Sequence, residues 1–251
     1  MSINLSTESK VFYKSVFALV LPMALQNLIN VAVTSADVIM LGKVGETALS
    51  GSSLAGQVQF ILTLFFFGLT SGAAILTAQY WGRAIPAPSK SSWASPSAAL
   101  IVGIIFTAAV LLFPYPIMRI FSPEKEVIEQ GARYLRVVAP SYLFMSITII
   151  YLNIMRSVER VIISTVVYLV SLFLNIILNA IFIFGLLGCP AMGIAGAALG
   201  TTIARGAELA IVLLYSARNK VVRFRARDIF VRDKPLLSDF VRYSLPSRST
   251  N

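Results

Sequence analysis

The chain is 251 residues long, 57% hydrophobic and only 13% charged, with a mean hydropathy of +0.81, which excludes an ordinary soluble domain and points to an integral membrane protein. It has no histidine and a single cysteine, Cys189, so an imidazole proton relay, a histidine metal centre and an internal disulfide are all excluded. The net charge of +10 raises nucleic acid as a partner, but the basic residues are spread through short loops and a tail, a distribution that suits a membrane surface better.

A bilayer-spanning helix needs about 20 mostly apolar residues. Six such runs are present: Phe12 to Leu41, Ala48 to Tyr80, Ala98 to Arg119, Val127 to Met155, Val161 to Gly185, and Gly193 to Ala217. The runs are continuous instead of alternating every second residue, so a β-barrel fits poorly. The expected fold is all-α, with six transmembrane helices over residues 1–217 and a basic cytoplasmic linker over 218–251.

The first span carries no small-x-small cleavage pattern and is followed almost at once by a second, so it reads as a helix and not as a cleavable signal. Asp37 is its only acid. A carboxylate inside a span costs about 2.5–3.5 kcal/mol on insertion scales, and its default reading is a cation or proton site. Gln26, Asn30 and Thr34 precede Asp37 at spacings of four, four and three, which puts all of them on one helical face. That stripe reads either as a polar path ending at the acid or as hydrogen-bonding glue between helices. Pro22 removes a backbone hydrogen bond mid-helix and is expected to bend the helix, either as a tolerated membrane proline or as a functional hinge.

In the second span, Gly68, Thr70, Ser71, Gly72, Thr77 and Gln79 form a small and polar end best explained by helix packing. The Pro- and Ser-rich run from Ala84 to Ala98 reads as a linker. Bases encoding Ala84 to Leu100 can also be read one position out of register as a charged turn followed by an amphipathic helix start, which suggests a frameshift. Further on, Glu129, Arg133 and Arg136 suit a solvated helix start with an i,i+4 pair.

Asn175 and Asn179, four apart in a strongly apolar fifth span, offer carboxamide oxygens that could join Asp37 around a hard cation; packing glue is the alternative. The sixth span opens with Gly193, Gly196 and Gly200, a small-residue face for close helix packing, followed by Thr201 as a further ligand candidate. Arg205 and Glu208, three apart, read as a structural ion pair. The tail from Lys220 to Lys234 interleaves Arg with Val, Phe and Ile, as an interfacial amphipathic segment does. The last residues, Pro246 to Asn251, read like the beginning of a second copy of the first helix after one base is restored, so the chain is expected to be a truncated or frameshifted form of a longer, twofold-repeated protein.

Lys10, Lys14, Arg83, Lys90, Arg156, Arg160 and the basic tail fall on one side of the six spans. The positive-inside rule makes that side, and both termini, cytoplasmic. No P-loop occurs, so ATP does not drive this chain directly. No nucleophile with a base, no paired catalytic carboxylates and no metal cluster appears, so an enzyme is not expected.

The string from Leu21 to Arg83, with GARYLRVVAPSYLF, YLNIMRSVERV, SLFLNIILNAIFIFG and GIAGAALGTTIAR further on, resembles the MATE family of multidrug and toxic compound extrusion antiporters over nearly all of residues 12–246. The resemblance implies one six-helix lobe of a twelve-helix secondary transporter of a bacterial-type inner membrane, exporting cationic organic compounds against protons or sodium ions, without a cofactor. It maps the lobe's cation site, including sodium, to Asp37, Asn175, Asn179 and Thr201, and the bending proline to Pro22. The chain departs from the family in two ways: Asn179 stands where members often carry a second acid, and no second lobe follows. Rival readings are a lipid or polysaccharide flippase of the same superfamily, a non-transporting remnant, and a six-span half that self-associates.

Overall fold

The computed structural model describes residues 5–82, 94–158 and 160–218, and every regular element among them is helical. The order is α1 (Leu5–Gly42), α2 (Glu46–Gly82), α3 (Ala94–Leu112), α4 (Pro114–Phe121), α5 (Lys125–Ser157), α6 (Ile162–Phe184), a 3-10 turn (Leu186–Gly188) and α7 (Ile194–Arg218). Among the described residues five helices are long and apolar enough to cross a membrane, or six if the bent α3–α4 pair is one span. The segments 83–93 and 219–251 lie outside the described residues, and with them most of the Ala84 to Ala98 run, the basic tail and the Pro246 to Asn251 ending.

The third span corrects the sequence expectation of one continuous helix from Ala98 to Arg119. The chain turns by 89° between Leu112 and Pro114. The cause is local: a residue before proline is pushed out of the α region, and Phe113 takes φ −127°, ψ 44°. Pro114 then starts α4, where its missing N–H costs nothing. Pro22, by contrast, sits within an α1 that stays helical from Leu5 to Gly42.

In lipid, apolar surface alone does not drive helices together; close van der Waals packing does, and small residues permit it. At the α2–α5 crossing, a Cβ on Gly51 would come within 2.9 Å of the Gly131 backbone nitrogen, and one on Gly131 would run into the Met118 methyl group. The helix α5 is the central post, packed against α2, α3 and α7. Its buried face includes Leu135, Val138, Ala139, Tyr142, Leu152 and Met155. Its first turns instead expose Glu129, Arg133 and Arg136; Arg136 stacks over the Tyr115 ring of α4 at 5.1 Å, and the expected Glu129–Arg133 ion pair does not form.

The last pair is held by a tight reversal. Gly185 ends α6 in the left-handed region, at φ 73°. Backbone bonds from Met192 to Phe182 (2.9 Å) and from Gly193 to Ile183 (3.4 Å) then fold the chain back along it. A side chain on Gly196 would strike the Phe182 carbonyl, so α7 lies with its backbone almost against α6. Leu41, Ala48, Ile183, Ile194 and Ala197 close this end in a small cluster of their own, one turn beyond Asp37.

Candidate functional site

The helix α1 lies chiefly against α6, and the face it meets is unusual for a span. Of the seven buried residues of α6, Ser164, Thr165, Ser171, Asn175 and Asn179 are polar. Polar groups shut away from water and lipid need partners, and most of these find them on α1 or α7.

The polar stripe on α1 is divided by this contact. Gln26 is buried and donates from Nε2 to the Thr165 hydroxyl (3.0 Å) and the Val161 carbonyl (3.4 Å), so it ties α1 to α6 away from the acid. Asn30 is exposed at the edge of a cleft. Thr34 is exposed and donates to the Asn30 carbonyl of its own helix at 3.1 Å. The stripe is therefore not a continuous path to Asp37: one member is glue, one a wall and one back-bonded.

Asp37 heads a hydrogen-bonded chain that joins three helices. The Asn179 amide nitrogen donates to Asp37 Oδ1 and to Asn175 Oδ1 (3.2 Å), and the Asn175 amide in turn donates to the Thr201 hydroxyl on α7 (3.3 Å). Tyr134 of α5 packs against the apolar cluster that closes this end of the site. All four residues mapped by the resemblance are thus brought together. Asn179 is wholly buried, and its own carbonyl oxygen has no hydrogen-bond partner among the described residues. Gly200 explains how it fits: a Cβ there would collide with Asn179 Oδ1. Gly200 thus leaves room for a site side chain, whereas Gly196 serves backbone packing.

The set consists of groups that a hard monovalent cation prefers. The carboxylate of Asp37, the unpaired carbonyl of Asn179 and the oxygens of Asn175 and Thr201 are all oxygen donors, with a single negative charge among them. A proton on Asp37 would satisfy the same charge.

A narrow neighbouring cleft, of about 20 Å³, runs between α1, α6 and α7; Asn175 and Thr201 belong to its wall as well as to the Asp37 chain. Arg205 and Glu208 form the expected pair there, with the arginine Nη1 donating to both carboxylate oxygens at 2.9 and 3.0 Å. Tyr134, Tyr168, Ser171 and Thr165 were not singled out by sequence reasoning. Stepping back along α6 from Asn175 by four and by seven would have found Ser171 and Tyr168.

Known proteins share this arrangement of helices. The crystal structure of MATE in the bent conformation superposes with a TM-score of 0.81 at 22% identity, over 92% of this chain and 51% of that one. A MOP superfamily transporter from Pyrococcus furiosus gives 0.80 at 22% identity over the same shares. Among curated relatives, the "Probable multidrug resistance protein NorM" of Rhizobium meliloti is 29% identical over 228 residues, 87% of this chain and 47% of that protein. The "Multidrug export protein MepA" of Staphylococcus haemolyticus is 26% identical over 247 residues, 96% of this chain and 52% of that protein. The chain thus spans about half the length of the relatives it matches. The MatE family model matches residues 22–181, most of the helical body, and the chain belongs to this family of multi-pass membrane transporters, which are not enzymes.

Proposed function

We propose that the chain works as a six-helix lobe of a secondary transporter that exports cationic organic molecules in exchange for a proton or a sodium ion, with Asp37 as the exchange acid. The observation that carries this reading is the hydrogen-bonded chain from the half-buried Asp37 through the buried Asn179 and Asn175 to Thr201, with the Asn179 carbonyl oxygen left unpaired among the described residues. The multidrug names of the NorM and MepA relatives support the class of cargo.

The mechanism follows from charge and from how α1 is held. An empty, ionised Asp37 attracts a cationic cargo toward the cleft. A proton or sodium ion on Asp37 removes that attraction and weakens the bond from the Asn179 amide, because a carboxylate is the stronger acceptor. The helix α1, tied to α6 through Asp37 and Gln26, then shifts, with Pro22 as the place where its ladder of backbone bonds is already interrupted. Cargo and ion thus exclude one another, which is the requirement for exchange. In this reading the chain sits in a bacterial inner membrane with both termini in the cytoplasm, uses no cofactor, and completes its pathway with a second lobe or another copy of itself.

The test is transport by the full chain in proteoliposomes under an imposed proton or sodium gradient. Accumulation of a fluorescent organic cation should follow the gradient in the wild type and vanish in Asp37→Asn, which keeps the shape of the side chain and removes its charge. Gradient-driven accumulation that survives in Asp37→Asn sinks the assignment.

A further inference from the structure

The end of the frame where α4 meets α5 carries arginines without a protein partner. Along α5, residues 137–155 hold no charged side chain between Arg136 and Arg156. At 1.5 Å per residue that run covers about 28 Å, close to the ~30 Å of hydrocarbon in a bilayer. Arg136 therefore stands at the level where hydrocarbon gives way to lipid headgroups. The bend at Phe113 falls at the same level, because Tyr115 of α4 lies under the Arg136 guanidinium at 5.1 Å. Pro114 and Met118, four apart, bury one face of α4 and leave Tyr115 and Arg119, also four apart, on an exposed one. Leu112, Phe113 and Ile120 stand exposed beside them.

Among the described residues, the side chains of Arg119, Arg133 and Arg136 make no ion pair and no hydrogen bond. The acids of this region, Glu124, Glu126 and Glu129, are also exposed, but they precede Arg133 in the chain. Glu129, the nearest, lies about 10 Å beyond Arg136 along the helix axis, so the charge at headgroup depth is basic. A guanidinium fork matches two phosphate oxygens, and a tyrosine at this depth belongs to the aromatic belt of a span. A soluble anion would use the arginines and leave the apolar residues bare. A zwitterionic lipid would bring a positive group that the arginines repel. We propose that Tyr115, Arg119 and Arg136 form a binding site for the phosphate of an anionic phospholipid, with its acyl chains against Leu112, Phe113 and Ile120. The site anchors the bend of the third span to the leaflet on the α4 side, the outer one in the orientation proposed above.

The probes are phosphatidylglycerol and phosphatidylcholine, titrated onto the purified full chain in detergent and read as lipid adducts by native mass spectrometry. The wild type should retain phosphatidylglycerol more strongly. Arg136→Gln should weaken that binding about tenfold, the size of one charge-assisted hydrogen bond, and R119Q/R136Q should abolish the preference between the lipids. Tyr115→Leu removes the ring that holds Arg136 but no charge, and should weaken phosphatidylglycerol about threefold. Arg218→Gln removes the same charge from an exposed position at the end of α7 and should change binding less than about twofold. Equal losses in Arg136→Gln and Arg218→Gln, or equal retention of the two lipids by the wild type, overturn the proposal. Displacement of the lipid by millimolar glycerol 3-phosphate would assign the arginines to a soluble phosphate and overturn it as well.

Discussion

The post α5 and the site-bearing helix α1 are built to opposite rules. Half of α5 is buried, on a face that packs chiefly against α2, α3 and α7, and close approaches to it are made through glycine. In the described part of α1, only Gln26, Ile29 and Leu41 are buried, while Phe17, Leu21, Leu28, Val31 and Ile39 stand exposed. One helix is fixed by shape complementarity and the other by a few polar bonds to α6. A transporter needs both: a frame that does not yield, and an element that moves when a single charge is neutralised.

The contrast breaks first in the post. Leu135→Ala empties a fully buried position and should cost about 2–5 kcal/mol, read as a lower unfolding midpoint in detergent titration. Leu28→Ala, on the exposed side of α1, should stay within about 0.5 kcal/mol by the same assay. Comparable losses at the two positions would erase the distinction between frame and moving element.

Two of the glycines of α7, Gly196 and Gly200, sharpen it. Gly200→Ala forces the Asn179 carbonyl aside and should cost about 1–3 kcal/mol of overpacking, together with loss of ion competition for cargo. Gly196→Ala pushes against the Phe182 backbone and should cost at least as much stability, because a backbone carbonyl cannot swing away. Of the two, only Gly200→Ala should be rescued in stability by shortening its neighbour, as in Gly200→Ala with Asn179→Ser, measured by thermal unfolding of the pair against each single variant.

Smaller effects are expected along the α1 stripe. Gln26→Ala removes two bonds to α6 and should cost about 1 kcal/mol, visible as faster hydrogen exchange around Val161 and Thr165. Thr34→Ala loses only a bond to its own helix and should be nearly silent. A large Thr34 effect with a silent Gln26 would restore the continuous polar path that the structure divides.

The sequence made the spans legible because hydropathy needs no tertiary context. It missed the bend at Phe113 because the apolar run continues through Pro114 and Pro116, and hydropathy weighs composition without backbone restriction. Asp37 was legible from its cost in a bilayer, and the pair Asn175 and Asn179 from spacing. Their meeting was implied by the family resemblance, since periodicity places residues on a face without saying which face another helix will cover. The same limit explains Gln26: its position one stripe up from Asp37 is correct, yet α6 crosses α1 so that Thr165 meets it and closes it off. The cleft residues Tyr168 and Ser171 went unnoticed because a tyrosine and a serine in a span are common, and only Asn175 on the same face gives them meaning.

The most direct measurement of the central claim is competition at equilibrium: binding of a fluorescent organic cation to the purified chain, titrated with protons and then with sodium. The account predicts that one of these ions displaces the cation from the wild type and that Asp37→Asn binds it more weakly and without regard to either ion. Displacement that persists undiminished in Asp37→Asn would show that the exchange acid lies elsewhere.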